Sequence, residues 1–328
     1  MVTFCAGQGS IIRDGSSAMR ILHLVLCSLC IVSCARASTS EETLFHQGRE
    51  RQYLLHIASS YDSKYVVPLV FVFHGGGGNA KQIARFTGFN DLSDQHKFLV
   101  VYPQGIDGHW NDGRNAQAFR EQDLQINDID FILKLLDHLK QQYSIDEKRV
   151  FATGLSNGGI FCQRLAIEQS AHFAAVATVI GSIAEPLAKN FHPEKAISVM
   201  IMNGTDDPLV PYDGGEVLPG LGKMFRTAQR GSVLSTERAL ELWIKHNRIT
   251  VQPDVEPLPN INQDDGATVE RTEWSNNDVS VVLYKIIGGG HTYPGGAQYL
   301  PERIIGATCR DIEASEIIWN FFANHTRR

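Results

Sequence analysis

The serine at position 156 has the surroundings of a catalytic nucleophile. It lies within Gly154-Leu155-Ser156-Asn157-Gly158, which fits the pattern G-x-S-x-G. In this pattern the serine occupies a sharp turn between a strand and a helix, and its hydroxyl is exposed for attack on a carbonyl carbon. Such attack also needs a base, a carboxylate that orients the base, and N–H donors for the developing oxyanion. Because the motif is short, the rest of the chain must supply these partners.

Among the 12 histidines, His291 has the setting expected of the base. It follows a predicted strand near the C-terminal end of the chain, in the glycine-rich stretch IIGGGHTYPGG. Serine hydrolases of the α/β-hydrolase fold have the chain order Ser, Asp or Glu, His, and His291 fits it. His74 precedes Ser156 and therefore has the wrong order, while His246 and His325 lie in predicted helices.

The acid and the oxyanion donors are expected at the ends of two further strands. Asp206 and Asp207 both follow the buried stretch AISVMIMNG, and position alone does not choose between them. The stretch FVFHGGGGN, residues 71–79, ends another strand, and its glycines let backbone N–H groups approach a substrate. We expect one oxyanion donor from Gly76 and the other from Asn157, the residue after the nucleophile.

The elements that must position these residues alternate between strands and helices after residue 40. Alternating or continuous apolar runs predict strands at 51–58, 68–75, 98–105, 149–154, 173–181, 196–204 and 279–290. Helical periodicity predicts helices at 128–143, with Asn127 or Asp128 as N-cap, and at 157–169, 236–247 and 311–325. This alternation predicts an α/β fold with a mostly parallel central sheet and helices on both faces.

Two long segments, 103–127 and 208–235, contain the glycines and prolines of loops. Both follow the C-terminal ends of predicted strands, where open α/β sheets bind their ligands. Loops of this length in a compact domain usually have a function. We therefore expect these two loops to determine substrate specificity.

The N-terminal segment differs from the rest of the chain. An apolar run from Ile21 to Val32 follows Arg20, and it has the length of a signal-peptide core but is too short to span a bilayer. We predict a targeting segment at 1–37, of which 1–18 could precede a true start at Met19, and a single catalytic domain at 38–328. A buried N-terminal helix is the alternative.

The processing site within this segment stays open. Ala35-Arg36-Ala37 is an A-x-A site that would release a soluble protein beginning near Ser38. Ile31-Val32-Ser33-Cys34 is similar to a bacterial lipobox, which would leave a lipid anchor on Cys34. Either route predicts a secreted or extracytoplasmic location, which is periplasmic, extracellular or lipid-anchored.

Composition narrows the class of partner. The 328 residues are 43% hydrophobic and carry a net charge of −6, without a block of lysine and arginine that would indicate nucleic-acid binding. We expect a small or oligomeric substrate and no obligate protein partner. The cysteines and histidines show no metal-ligand spacing, so neither a metal nor a cofactor is predicted. Whether Cys162 and Cys309 form a disulfide stays open.

Seven stretches occur in the order of a known family. They are FHGGGGNA, HWNDGR, NDIDFI, RVFATGLSNGG, GTDDPLVPYDGG, GGGHTYPGG and DIEASEIIWNFF, within residues 47–324. The chain thereby resembles the secreted polyhydroxybutyrate depolymerase-type esterases, which include feruloyl and acetylxylan esterases of carbohydrate esterase family one.

The resemblance implies an α/β-hydrolase with Ser156 as nucleophile, His291 as base and Asp207 as acid, because the family's acid precedes the proline. It also implies that Trp110 binds substrate near the mouth of the active site, although a tryptophan that anchors its loop would look the same in sequence. Tyr293 stands where the family often has tryptophan, and it is the second expected substrate contact.

The resemblance and the residues together predict a secreted serine carboxylesterase that works through an acyl-enzyme, without metal or cofactor. Its expected substrates are feruloyl or acetyl esters of plant polysaccharides, or hydroxyalkanoate oligomers. The alternatives are a peptidase on the same fold, and a non-catalytic lipoprotein that binds ligands at the cell surface.

Overall fold

A ten-stranded sheet forms the centre of the computed structural model, which describes residues 37–116, 126–218, 230–276 and 278–328. These residues fall within one unit, Ala35–Arg328. The predicted targeting segment up to residue 36, including Met19 and Cys34, lies outside the described residues. Residues 117–125 and 219–229 of the two long loops also lie outside them.

The strands are β1 (Ser38–His46), β2 (Arg49–Ile57), β3 (Val67–Phe73), β4 (Leu99–Pro103), β5 (Ile145–Leu155), β6 (Ala175–Val179), β7 (Ser198–Gly204), β8 (Gly215–Glu216), β9 (Ser232–Val233), β10 (Asp254–Pro257), β11 (Thr268–Ser275) and β12 (Ser280–Ile287). The helices are α1 (Ala80–Thr87), α2 (Phe89–His96), α3 (Asp128–Gln142), α4 (Asn157–Gln169), α5 (Glu185–Ala188), α6 (Thr236–His246), α7 (Glu302–Ile305) and α8 (Ala314–Ala323).

The strand order of the large sheet is β1-β2-β4-β3-β5-β6-β7-β12-β11-β10, and β8 pairs separately with β9. From β4 to β12 in this order, neighbouring strands are parallel. The pairs at both edges are antiparallel. The central strands β3, β6 and β7 are buried along their whole length, as their continuous apolar runs predict for a sheet covered on both faces.

Helices cover the two faces of the sheet and enclose two hydrophobic cores. Along β3, Leu69, Phe71 and Phe73 point into one core, while Val70 and Val72 point into the other. Helices α3, α4 and α6 contribute to the first core, and α1, α2 and α8 contribute to the second. The predicted mostly parallel sheet with helices on both faces is therefore confirmed.

The two cysteines of the domain are free thiols on opposite faces of the sheet. Cys162 of α4 is buried in the first core, and Cys309 is buried in the second. The sheet therefore separates the two sulfur atoms, and the disulfide that the sequence left open is not formed. Within the described residues no helix has the length and apolar character to cross a bilayer.

Several predicted elements agree with the structure almost to the residue. Helix α4 spans Asn157–Gln169 as predicted, and α3 begins at Asp128 with Asn127 as its N-cap. The Asn127 side chain accepts a hydrogen bond from the N–H of Asp130 at 3.1 Å. Helix α8 is shorter than the predicted 311–325, because it begins at Ala314 and ends at Ala323.

Nine elements were not predicted from the sequence. Four of them, β8, β9, α5 and α7, have only two to four residues, and the other five are β1, β10, β11, α1 and α2. The three strands lie at or next to the sheet edges, where most of their side chains are partly or fully exposed and polar residues interrupt the apolar pattern. The two helices are eight residues each, which is too short for a clear helical period.

A buried ion pair fixes the first long loop to the sheet. Arg51 of β2 donates to Asp128 at 2.6 Å, and both side chains are almost fully buried. The other oxygen of Asp128 accepts the backbone N–H of Asn111 at 2.8 Å. The Arg51 guanidinium also lies 3.9 Å from the centre of the Phe131 ring. The pair therefore joins β2, the loop and the start of α3.

Replacing Asp128 by Asn should lower the free energy of unfolding by about 3–5 kcal/mol, because Arg51 would keep a buried charge without its counter-ion. Asp130, two residues further along the chain and 52% exposed at its side chain, bonds His46 at 2.8 Å and provides the matched control. We expect Asp130→Asn to cost less than about 1 kcal/mol. Urea unfolding followed by tryptophan fluorescence measures both, and equal losses would contradict the assignment.

Candidate active site

Ser156 lies at a strained turn between β5, which ends at Leu155, and α4, which begins at Asn157. Its backbone has φ 55° and ψ −119°, a conformation that residues other than glycine rarely adopt. Holding a non-glycine residue there costs about 1–3 kcal/mol, so surrounding contacts must impose the conformation. One of them is the hydrogen bond from the Ser156 N–H to the Val179 carbonyl, at 2.9 Å.

The two glycines of the motif allow backbones to approach closely around this turn. A Cβ atom at Gly158 would lie 2.5 Å from the carbonyl oxygens of Phe73 and His74. A Cβ atom at Gly154 would lie 2.5 Å from the carbonyl oxygen of Gly158. Side chains at either position would therefore push α4 away from the ends of β3 and β5. Both glycines of the G-x-S-x-G motif are therefore required by packing, because no side chain fits at either position.

The structure brings Ser156, His291 and Asp207 together as a hydrogen-bonded chain. Nε2 of His291 lies 2.9 Å from the Ser156 hydroxyl oxygen, and Nδ1 lies 2.7 Å from Oδ2 of Asp207. His291 and Asp207 are 4% and 7% exposed, so water has little access to the bond that joins them. Since the carboxylate can only accept, Nδ1 donates to it and Nε2 is left to accept the serine proton.

The neighbouring carboxylates Asp206 and Asp207 have different surroundings. Asp207 is buried, and its second oxygen accepts the backbone N–H groups of Leu209 and Val210 at 2.8 and 2.9 Å. Asp206 is exposed and accepts a hydrogen bond from the Thr205 hydroxyl. The geometry therefore brings Asp207, and not Asp206, into contact with His291, a distinction that the order of residues alone did not provide.

Two backbone N–H groups next to Ser156 are available to an oxyanion. A Cβ atom at Gly75 would lie 3.6 Å from Cβ of Ser156, and one at Gly76 would lie 3.7 Å from Cβ of Asn157. The glycine loop therefore lies against the nucleophile turn. Within the described ranges, the N–H groups of Gly76 and Asn157 donate to no backbone or side-chain acceptor, and the latter begins a helix.

The side chain of Asn157 is a structural link that the sequence analysis did not identify. Its oxygen accepts the Trp110 N–H at 2.8 Å, and its nitrogen donates to the Trp110 carbonyl at 3.0 Å. The same nitrogen donates to Asp112 at 2.6 Å. The residue after Ser156 thus fixes the first long loop. In the sequence this link corresponds to the motifs HWNDGR and GLSNGG, because their polar residues form hydrogen bonds with each other.

The expectation that Trp110 binds substrate is wrong in this structure. Its side chain is fully buried, stacked on Phe161 and edge-on to Phe73, with ring centres 5.2 Å away in both cases. Its indole N–H donates to the His74 carbonyl at 3.0 Å. Trp110 therefore anchors its loop beneath the active site, because the apolar space under the loop is where a large aromatic side chain gains most from burial.

Tyr293 also does not reach the substrate cleft. It is 4% exposed, and its hydroxyl shares a hydrogen bond of 2.7 Å with Ser315 of α8. Its ring packs against Phe86 with centres 5.7 Å apart, and Phe86 is the residue that lines the cleft. Tyr293 therefore supports the wall of the cleft from behind, which corrects its predicted role as a direct contact.

Ser156 and His291 open into a cleft of about 760 Å³. One part of its wall is apolar and comes from α1, the second long loop and the segment after His291: Ile83, Phe86, Leu209, Val210, Val217, Leu218, Leu300 and Ile305. Cationic and polar side chains line the remainder, including Arg85, His109, Arg114 and Arg230. The volume is that of a small-molecule site.

A buried histidine supports the glycine loop from behind. His74 is 1% exposed, and its Nε2 accepts the Gly105 N–H at 3.0 Å, so that Nδ1 is the protonated nitrogen and donates to the Gly75 carbonyl at 2.8 Å. Burial lowers the pKa of His74 to about 4, with a smaller contribution from His109. The His74 ring is therefore neutral in the folded protein at pH 7.

Among the described residues, one group of side chains has the spacing of metal ligands, namely Asp265, Cys309 and Asp311, with ligand atoms within 4.8 Å of one another. Backbone N–H groups already occupy an oxygen of each carboxylate, from Ile261 and Asn262 at Asp311 and from Arg310 at Asp265. These bonds explain the cluster as an anchor between two loops.

The protein should lose stability between pH 6.5 and pH 4 partly through His74. Its pKa is about 4 when folded against about 6.5 when unfolded, so the unfolded state binds the proton first and stability falls as the pH falls. From pH 7 to pH 5 the contribution is about 2 kcal/mol.

In His74→Gln this loss should shrink by about the same amount, because the titrating group is gone while an amide still bonds the loop. Urea unfolding of both proteins at pH 7 and pH 5 provides the comparison. The half-buried His109 and His325, whose pKa values are also lowered, remain in both proteins and cancel. An unchanged difference between the two pH values would refute the role of His74.

Comparison with known proteins identifies the family. The profile of the family described as Esterase PHB depolymerase matches residues 53–243. The "Putative esterase NocK" of Nocardia uniformis subsp. tsuyamanensis is 29% identical over 290 residues, which are 88% of this chain and 83% of that protein. Feruloyl esterase C of Emericella nidulans is 26% identical over 173 residues, which are 51% of this chain and 59% of its own length.

A solved structure shows the same fold. The acetyl xylan esterase from Aspergillus awamori superposes with a TM-score of 0.53 at 16% identity, covering 76% of this chain and 92% of that one. This likeness confirms the α/β-hydrolase fold. The family match covers both the glycine loop and the nucleophile motif, and it confirms the predicted family and class of reaction. The chain belongs to the PHB depolymerase family of esterases and is a carboxylic-ester hydrolase.

Proposed function

We propose that Ser156 is the nucleophile of this esterase, with His291 as base, Asp207 as acid, and the N–H groups of Gly76 and Asn157 as oxyanion donors. The observation that carries the proposal is the continuous chain of hydrogen bonds from Asp207 through His291 to the Ser156 hydroxyl. It supplies nucleophile, base and orienting carboxylate at the mouth of a cleft, and two N–H donors lie beside it.

The reaction follows from these positions. His291 Nε2 takes the Ser156 proton as the serine oxygen attacks the ester carbonyl, and the oxyanion forms beside the N–H groups of Gly76 and Asn157. The imidazolium then gives its proton to the departing alcohol, which leaves an acyl-enzyme on Ser156. Water, deprotonated by His291, releases the acid and restores the serine. Asp207 keeps Nδ1 protonated throughout and stabilises the imidazolium.

The proposed substrates are small or oligomeric esters, either feruloyl or acetyl esters of plant polysaccharides or hydroxyalkanoate oligomers. The apolar part of the cleft wall suits an aromatic or short aliphatic acyl group. The names of the family and of the feruloyl and acetyl xylan esterases among its relatives support these classes. The chain matches about 60% of the length of the feruloyl esterases, so their substrates are for this chain a proposal.

We also propose that the domain 38–328 is exported after cleavage of the targeting segment. The apolar run from Ile21 to Val32 with the A-x-A sequence before Ser38 supports release, and the sequence around Cys34 supports lipid anchoring. No protein partner is needed for the proposed chemistry, since every proposed catalytic group comes from one chain.

Hydrolysis of two uncharged esters tests the function. Protein beginning at Ser38 is assayed with methyl ferulate and with the methyl ester of a 3-hydroxybutyrate trimer, and Ser156→Ala is the blank. We expect turnover of at least one ester that is abolished in the variant, with fluorophosphonate labelling of wild type only. Turnover of amides alone would favour a peptidase, and no labelling of Ser156 would favour a non-catalytic protein.

The adjacent residues Asp206 and Asp207 provide a matched pair of variants that tests which carboxylate is the catalytic acid. Asp207→Asn should lower kcat by about 10³–10⁴-fold, because an amide stabilises the wrong tautomer of His291 and cannot balance the imidazolium. Asp206→Asn, one residue away and exposed, should change kcat less than about twofold, since a charge in water is screened. Steady-state kinetics with the better ester measures both, and a large loss in the second variant would reverse the assignment.

A further inference from the structure

The cleft wall contains a pair of guanidinium groups that the proposed ester chemistry does not use. Arg114, from the first long loop, is 4% exposed, and Arg230, from the second, is half-buried. Both line the same cleft as Ser156 and His291. Catalysis of ester hydrolysis by the proposed triad requires neither of them.

Arg114 is held in one geometry with part of its donor capacity unused. Its Nε and Nη2 bond Asp112 at 2.8 and 2.7 Å. Its Nη1 has no hydrogen-bond partner among the residues that the structure describes. A buried donor on a charged group without an acceptor costs about 1–3 kcal/mol or more. Because Nη1 is itself buried, the Arg114 guanidinium acts on the cleft as a fixed positive charge beneath its wall.

Arg230 is placed next to Arg114 by the backbone. A Cβ atom at Gly231 would lie 2.7 Å from both Cβ and the carbonyl oxygen of Arg114, so the two loop segments are in direct contact. Burial lowers the pKa of Arg230, and the positive charge of Arg114 lowers it further. Two like charges are thus kept close together in a partly desolvated wall, which is the arrangement that binds carboxylates and phosphates.

His109 extends this cationic part of the wall towards the oxyanion donors. A Cβ atom at Gly76 would lie 3.2 Å from the His109 ring, so the ring covers the glycine loop. Burial lowers the pKa of His109, and the charges of Arg230 and Arg114 lower it further. The imidazole is therefore neutral at pH 7, and the positive charge of this part of the wall belongs to the arginines.

The position of the pair relative to the nucleophile is fixed through one carboxylate. Oδ2 of Asp112 accepts both the Asn157 amide at 2.6 Å and Nε of Arg114 at 2.8 Å. Asn157 directly follows Ser156, so a short chain of bonds joins the guanidinium to the nucleophile turn. A ligand held by the arginines would therefore have a defined distance from the reacting carbonyl.

We propose that Arg230 and Arg114 form a subsite for a carboxylate carried by the ester substrate itself. The inference rests on the proposed function and specifies its substrate further: esters that keep a free acid group are preferred to their uncharged counterparts. Arg230, the more exposed of the two, contacts the carboxylate, and Arg114 adds charge beneath it. A hydroxy-acid oligomer with a free end has such a carboxylate, whereas a ferulate ester of a neutral sugar does not.

The test compares one oligomer with and without its charge. The 3-hydroxybutyrate trimer and its methyl ester differ at the terminal carboxylate, and kcat/KM for the free acid should exceed that for the methyl ester by about tenfold or more. In Arg230→Gln this ratio should fall to less than about threefold, and Arg114→Lys should lower it too, because lysine keeps the charge but loses the planar fork.

Arg49→Gln is the matched control, since it removes an exposed arginine that does not line the cleft and should leave the ratio unchanged. A thermal melt of each variant excludes loss of the fold. Equal rates for the two trimers in wild type, or a ratio that persists in both Arg230→Gln and Arg114→Lys, would overturn the subsite while leaving the esterase function intact.

Binding separates failure of the subsite from failure of the proposed function. Calorimetry on Ser156→Ala measures the Kd of both trimers without hydrolysis. We expect the free acid to bind about tenfold more tightly than the methyl ester, and this difference should be lost in the double variant Ser156→Ala with Arg230→Gln. That result supports the subsite even if neither trimer is turned over. Equal Kd values overturn it, whatever the outcome with methyl ferulate.

Discussion

The contact between the start of α4 and the end of β3 is the constraint on which the active site depends. Gly158 brings the helix so close to the Phe73 and His74 carbonyls that no side chain fits between them. This contact, with the bond from Ser156 to Val179, holds the serine at its strained φ of 55°. It also brings the glycine loop that follows β3 beside the serine, so the proposed nucleophile and the proposed oxyanion donors are positioned by the same packing.

The parallel sheet then brings the remaining groups to the same edge. Ser156 follows β5, Asp207 follows β7 and His291 follows β12, and these strands run in the same direction. Residues distant in the chain therefore meet because each directly follows the carboxyl end of its strand. The antiparallel edge strands contribute nothing to this meeting point, which explains why errors in predicting them left the site unaffected.

How far the sequence could predict the site depended on the range of the interactions. The elbow around Ser156 and the central strands follow from local pattern, because glycine spacing and continuous apolar runs encode them directly. Trp110 and Tyr293 were misjudged because burial depends on neighbours from distant segments, here Phe161 and Ser315. Asp207 could not be separated from Asp206 by position, since only the folded loop shows which carboxylate turns inward.

Asn157 links the turn at Ser156 to the long loops that line the cleft. Its backbone N–H lies beside the nucleophile, and its side chain holds both Trp110 and Asp112 in the first long loop. Asp112 in turn orients Arg114, against which the second long loop packs at Gly231. The positions of both loops therefore depend on contacts that begin at Asn157, the residue next to Ser156. A shift of either loop would change the catalytic geometry together with the cleft wall, so specificity can vary only within the limits that this shared amide sets.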